Sequence, residues 1–183
     1  MKKLLSLILL TGMLFNSCSK KPTGPEVVVP VEKYSLNNGL TVILHEDKSD
    51  PIAAIAILYH VGSSREVPGK TGFAHLFEHM MFQRSENVGE DQLFRLIQGA
   101  GGELNGGTSQ DMTMYFEVVP KNAVEMALWL ESDRMGYLEN TVTQAAFVNQ
   151  QNVVQNEKRQ GVDNQPYGFN EYLILKNLYP EGH

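Results

Sequence analysis

Two histidines and a glutamate within "HLFEH", residues 75–79, have the types and spacing to bind a metal and move a proton. On an α-helix His75 and His79 are one turn apart on the same side, so both imidazoles can reach one Zn2+. Glu78 stands one residue before the second histidine, where a carboxylate can reach a water on that metal without ligating it. That is the general-base position of zinc hydrolases, with the order of the HExxH motif inverted. The chain has five histidines, and chance alone would produce HxxEH with a probability on the order of 1%. His45 and His60 have no such partners and read as structural or surface residues.

Two histidines do not complete a catalytic zinc site, which takes three protein ligands and keeps one position open. The single cysteine, Cys18, lies near the N-terminus, so a carboxylate is the expected third ligand. In "AAFVNQQNVVQNEKRQ", residues Ala146, Gln150, Val153, Val154 and Glu157 form one helical stripe, which sets Glu157 among inward-facing valines. A carboxylate there is costly without a cation. A metal would satisfy it; so would a helix-edge position reaching solvent, Lys158 or Arg159. Spacing alone leaves both readings open.

The elements that must carry these residues follow from pattern. Asn38-Gly39 predicts a hairpin with a strand on either side. "PIAAIAILYHVGS" is apolar from Ile52 to Tyr59 without alternation, as expected of a strand covered on both faces. The HLFEH helix is expected over 71–82, with Phe73, Leu76, Phe77 and Met80 packing on a sheet opposite the His75, Glu78, His79 and Phe82 stripe. A second helix is expected over 90–98, stopping at "GAGG", then a strand over 112–120 and helices near 123–135 and 143–160. The glycines at 99, 101 and 102 read as turn formers, and Asp133 with Arg134 as a structural ion pair. Strands before and between helices, without βαβ alternation, predict an α+β fold with a mainly antiparallel sheet covered by helices.

With 183 residues, 42% hydrophobic, the chain can bury one sizeable core. A net charge of −6 and the lack of a basic stripe argue against a nucleic-acid partner. "MKKLLSLILLTGMLFNSC" has two lysines and then an apolar run too short to span a bilayer, the layout of a secretory signal over residues 1–17. Cys18 stands where a bacterial lipoprotein signal would be cut and the cysteine lipidated. The expected location is therefore outside the cytoplasm, periplasmic or anchored at the outer membrane, with a lipid on Cys18 as the sole membrane contact. Residues 18–30, rich in proline, read as a tether. The folded domain is expected over 31–183, and "YLILKNLYPEGH" breaks off as if the domain were C-terminally incomplete.

The chain resembles the pitrilysin-type zinc peptidases, which include insulin-degrading enzyme and mitochondrial processing peptidase. The resemblance runs from "LNNGLTVIL" through "YHVGSSREVPGKTGFAHLFEHMMF", "GGELNGGTSQDMTMYFEVVP" and "LESDRM" to "VVQNEKRQGVDNQPYG". It covers nearly everything after residue 33, in the family's order, and is nearest to bacterial exported zinc proteases. It implies zinc ligands at His75, His79 and Glu157, one Zn2+ per chain, and Glu78 as general base for peptide-bond hydrolysis. It also implies that Asn105 borders the substrate cleft, where an extended peptide or unfolded polypeptide can add as a further strand.

Two departures from the family pattern stand out. Many members carry Glu where this chain has Gln150; a neutral amide can still hydrogen-bond to a ligand but adds no charge. Members also pair this zinc-bearing half with a second homologous half, in the same chain or a partner, which supplies an Arg and a Tyr to hold substrate. Alone, these residues are expected to lack that clamp and to be inactive. The rival readings are a non-catalytic exported scaffold or binding half, and an HxxEH metalloenzyme of the S-ribosylhomocysteine lyase type. The latter takes a cysteine as third ligand, and none follows position 18.

Overall fold

The computed structural model describes residues 28–180, so the signal segment, Cys18 and most of the tether lie outside the described residues. The chain divides into two compact units between Ser49 and Asp50. In the first, β1 (Glu32–Ser35) and β2 (Thr41–Leu44) pair antiparallel, with Ser35 opposite Thr41. The expected Asn-Gly turn joins them. Asn38 Oδ1 accepts from the Leu40 N–H at 3.1 Å, and Gly39 takes a φ of 90°, which costs glycine nothing. His45 belongs here, its Nδ1 2.7 Å from the Pro30 carbonyl.

The second unit is built on a three-stranded antiparallel sheet in the order β3 (Ile52–Tyr59), β5 (Thr113–Pro120), β4 (Glu103–Thr108). Helices α1 (Phe73–Met80), α2 (Gln92–Gly99) and α3 (Val124–Tyr137) pack on one face of it, and α4 (Gln144–Lys158) packs on α1. A short π-helical stretch, Arg159–Asp163, leads toward α5 (Asn170–Leu178). The fold is α+β with antiparallel pairing, as the pattern predicts. Its core is Val88, Leu93, Ile97, Val119, Ala123, Ala127 and Leu130, shared by α2, β5 and α3. Burying side chains of this size contributes roughly 1.5–3 kcal/mol each for the larger aliphatics.

Three expectations change. Strand β3 is not covered on both faces: burial alternates along it, and Ile52 and Leu58 remain more than half exposed. It lies at one side of the described sheet, and the helices pack only on the face carrying Ile55, Ile57 and Tyr59. Strand β4 escapes pattern reading because "ELNGGT" is glycine-rich, and glycine weakens strand propensity. The glycine is there for space. A Cβ on Gly106 would lie 3.0 Å from the Phe82 ring and 3.1 Å from Tyr115, its partner across the sheet.

The third change concerns Asp133 and Arg134, which do not pair with each other. Asp133 accepts from the Ser85 hydroxyl and, at 2.6 Å, from Asn87 Nδ2. Burial pushes its carboxyl upward, but the Asn87 and Ser85 hydrogen bonds outweigh this and hold it below the ordinary range. Arg134 instead meets Glu131 through Nε at 2.8 Å and Glu117 through Nη2 at 3.1 Å. All three side chains are buried. The guanidinium lies over the Tyr115 ring, 4.2 Å from its centroid, and over Phe82 at 5.4 Å.

Candidate metal centre

Helix α1 begins without a cap of its own, since Gly72 at its N-terminus has no side chain and sits at φ 93°. The missing acceptors come from upstream: Glu66 takes the Gly72 N–H on Oε2 and the Ala74 N–H on Oε1, both at 2.8 Å. A carboxylate at this end also suits the helix dipole. Leu76 and Met80 anchor the helix in the interior. Phe73 and Phe77, expected beside them, instead stay substantially exposed and pack on each other at 6.3 Å. They line a cavity of about 470 Å³ with Tyr59, Met81 and Tyr115, of which Glu78 also forms part of the wall.

On the other side of Glu78 is a cleft of about 390 Å³, and the sequence-predicted residues converge there. His75, Glu78, His79, Asn105, Gln150 and Glu157 all line it. Helix α4, capped by Thr143 accepting from the Ala146 N–H, crosses α1 and brings the last two. Gln150 is buried, whereas Val153 and Glu157 lie open rather than on an inward stripe. Glu157 is half exposed, at 48% of its side-chain surface, yet it is not merely a helix-edge residue. Its Oε2 faces both imidazoles. Lys158 turns away to Asp163, and Arg159 to Asn156.

Nε2 of His75 and Nε2 of His79 are 3.3 Å apart, and Glu157 Oε2 lies 3.2 Å from the second and 3.7 Å from the first. Ligands at about 2.0–2.1 Å around a tetrahedral zinc stand about 3.4 Å from one another. The three atoms therefore already form one face of such a tetrahedron, and the donor set of two imidazoles and one carboxylate is one zinc accepts. Among the described residues, no other group of His, Cys, Asp and Glu side chains converges in this way. His60 is elsewhere, bonded through Nε2 to Arg65. Glu78 is buried beside the triangle, and its Oε2 accepts from the Thr108 hydroxyl at 2.5 Å. Asn105 sits at the rim on β4, its Oδ1 held by the Gly106 N–H at 2.8 Å.

Thr108 and Glu66 are the residues that pattern reading misses. Neither type is diagnostic alone: Thr108 reaches α1 from a strand thirty residues away, and Glu66 from the loop six to eight residues upstream.

The family model described as "Insulinase (Peptidase family M16)" matches residues 41–179. The chain belongs to peptidase family M16. This M16 chain is 30% identical over 149 residues to the zinc protease PqqE of Helicobacter pylori, covering 81% of this chain and 33% of that protein. It is 28% identical over 134 residues to the mitochondrial-processing peptidase subunit beta of Lentinula edodes, covering 73% and 28% respectively. The crystal structure of a protease from Helicobacter pylori superposes with a TM-score of 0.74 at 31% identity, over 78% of this chain and 34% of that one. The M16 chain thus spans about a third of the length of these relatives.

Proposed function

We propose that this chain is the metal-bearing part of a zinc metalloendopeptidase, with His75, His79 and Glu157 as ligands and Glu78 as general base. The observation that carries this reading is the triangle of Nε2, Nε2 and Oε2 at 3.2–3.7 Å, beside a buried carboxylate. The names of M16 relatives as zinc proteases support the metal and the class of reaction. A bound zinc supplies Lewis-acid polarisation of a peptide carbonyl and acidifies water. Glu78 takes the proton of the attacking water and returns it to the departing amine, so peptide hydrolysis proceeds without a covalent enzyme intermediate. Asn105 borders the path of an extended peptide or unfolded polypeptide along β4, and the buried Gln150, which lines the same cleft, is the side chain placed to hydrogen-bond a ligand once metal is bound.

Substrate is held between this part and a second homologous half, in the same polypeptide or a partner. In its absence the 183 residues bind zinc but turn over little peptide. The export reading, with lipid on Cys18, rests on sequence alone and predicts palmitate labelling that disappears in Cys18→Ala.

The test of the centre is zinc per chain, measured by mass spectrometry after dialysis, in wild type, Glu157→Gln and Glu78→Gln. About one zinc is expected in wild type and in Glu78→Gln, with at least tenfold weaker retention in Glu157→Gln. A folded wild type without zinc would overturn the metal assignment and favour a non-catalytic scaffold. Equal zinc in wild type and Glu157→Gln would remove Glu157 from the ligand set.

A further inference from the structure

The Glu78 carboxylate is tethered from the sheet. Its Oε2 accepts from Thr108 Oγ1 at 2.5 Å, Thr108 Oγ1 lies 3.2 Å from Thr113 Oγ1, and Thr113 donates to the Val61 carbonyl at 3.1 Å. The register of β4 and β5 sets Thr108 directly opposite Thr113, so both hydroxyls rise from the same face. Thr113 is buried and fixed by its bond to Val61, and Thr108 is partly covered. Each hydroxyl has one proton to donate, and a carboxylate has none. The proton of Thr108 therefore goes to Glu78 and that of Thr113 to Val61, and the two threonine oxygens stand 3.2 Å apart as cross-strand neighbours.

We infer that Thr108 is a positioning residue that pins Oε2 of Glu78 and leaves Oε1 as the oxygen that accepts and returns the proton. This rests on the general-base reading of Glu78. A charge-assisted hydrogen bond of this kind is stronger than a neutral one and directional, so it selects one orientation of the carboxylate before substrate arrives. The alternative is a cross-strand threonine pair that serves sheet packing alone. The two differ in whether the hydroxyl is coupled to Glu78.

A double-mutant cycle on the zinc-free 183-residue chain decides between them. Urea unfolding is measured for wild type, Thr108→Val, Glu78→Met and the double variant. A coupling of about tenfold or more in the unfolding equilibrium constant is expected, retained when Thr108→Ser replaces wild type in the cycle. Additive effects would overturn the inference. Infrared spectra with 13C-labelled glutamate provide a second readout that packing would not move. A carboxylate band displaced in Thr108→Val, restored in Thr108→Ser and absent from the Glu78→Met background is expected. Identical spectra in wild type and Thr108→Val would also overturn it. Neither readout uses zinc or turnover, so failure of the metal assignment and failure of this one are separable.

Discussion

Two clusters of ionisable side chains lie on either side of Phe82, and they solve opposite problems. In one, Glu117, Glu131 and Arg134 are buried to within 1–2% of full enclosure. In the other, His75, His79 and Glu157 are partly open, with side-chain exposures of 43%, 18% and 48%. The buried cluster carries its own cation, and Arg134 forks between two carboxyl groups, Glu117 on β5 and Glu131 on α3. The open cluster converges three electron-pair donors and supplies no fixed cation between them. Charges taken out of water must be compensated within the fold. Donors left at a surface can wait for an ion. The difference separates a group that holds the scaffold together from one that the scaffold merely presents.

The comparison breaks most readily at Arg134. Arg134→Met leaves the Glu117–Glu131 carboxyl pair buried without its cation and is expected to cost about 3–5 kcal/mol of unfolding free energy, read by guanidinium denaturation. His79→Ala, by contrast, should cost less than about 1.5 kcal/mol of zinc-free stability, since it removes a partly exposed side chain. Equal losses in the two variants would erase the distinction between the clusters.

Acidity sharpens the contrast further. Burial, followed by the neighbouring Glu131 carboxylate, pushes Glu117 up to about 9 against the opposing Arg134 charge. Its folded form holds a proton that the unfolded chain, titrating near 4.5, gives up. Between those values the native state binds more protons, so stability falls as pH rises. The stabilisation is full below about pH 4.5 and is lost progressively toward pH 9. Unfolding midpoints across pH 5–9 should therefore decline in wild type and run markedly flatter in Glu117→Gln. Parallel profiles would place the titration elsewhere.

A modest effect is expected at the N-terminus of α1. Glu66→Ala removes both acceptors and should cost about 0.5–2 kcal/mol, measured by urea unfolding. An unchanged midpoint would mean that water caps α1 equally well.

Much of this was legible in the chain itself. The i, i+4 spacing of His75 and His79 is a local property of one helix, and helix periodicity transmits it faithfully. The hairpin at Asn38-Gly39 is legible for the same reason, because a two-residue turn sets its own geometry. Glu157 was harder: its stripe with Val153 and Val154 pointed to the interior, while the cleft drew it to an open position facing two imidazoles. Adjacency suggests that Arg134 pairs with Asp133, but neighbours in sequence point to different sides of a helix, and each finds another partner. Strand β4 is hidden from local pattern because Gly106 answers to the ring of Phe82, a contact that no local pattern encodes. Thr108 was invisible for the same reason, its role being set by a partner thirty residues away.

The π-helical stretch Arg159–Asp163 begins two residues after Glu157, and Asn164 N–H bonds back to the Arg159 carbonyl at 2.8 Å, five residues behind. Such a bulge holds one residue more than an α-turn closing the same loop. It adds that residue immediately after Glu157, the acidic member of the cluster formed with His75 and His79, rather than before it. Deleting one residue within 159–163 would shift the phase of everything downstream while leaving the carboxylate of Glu157 where it is.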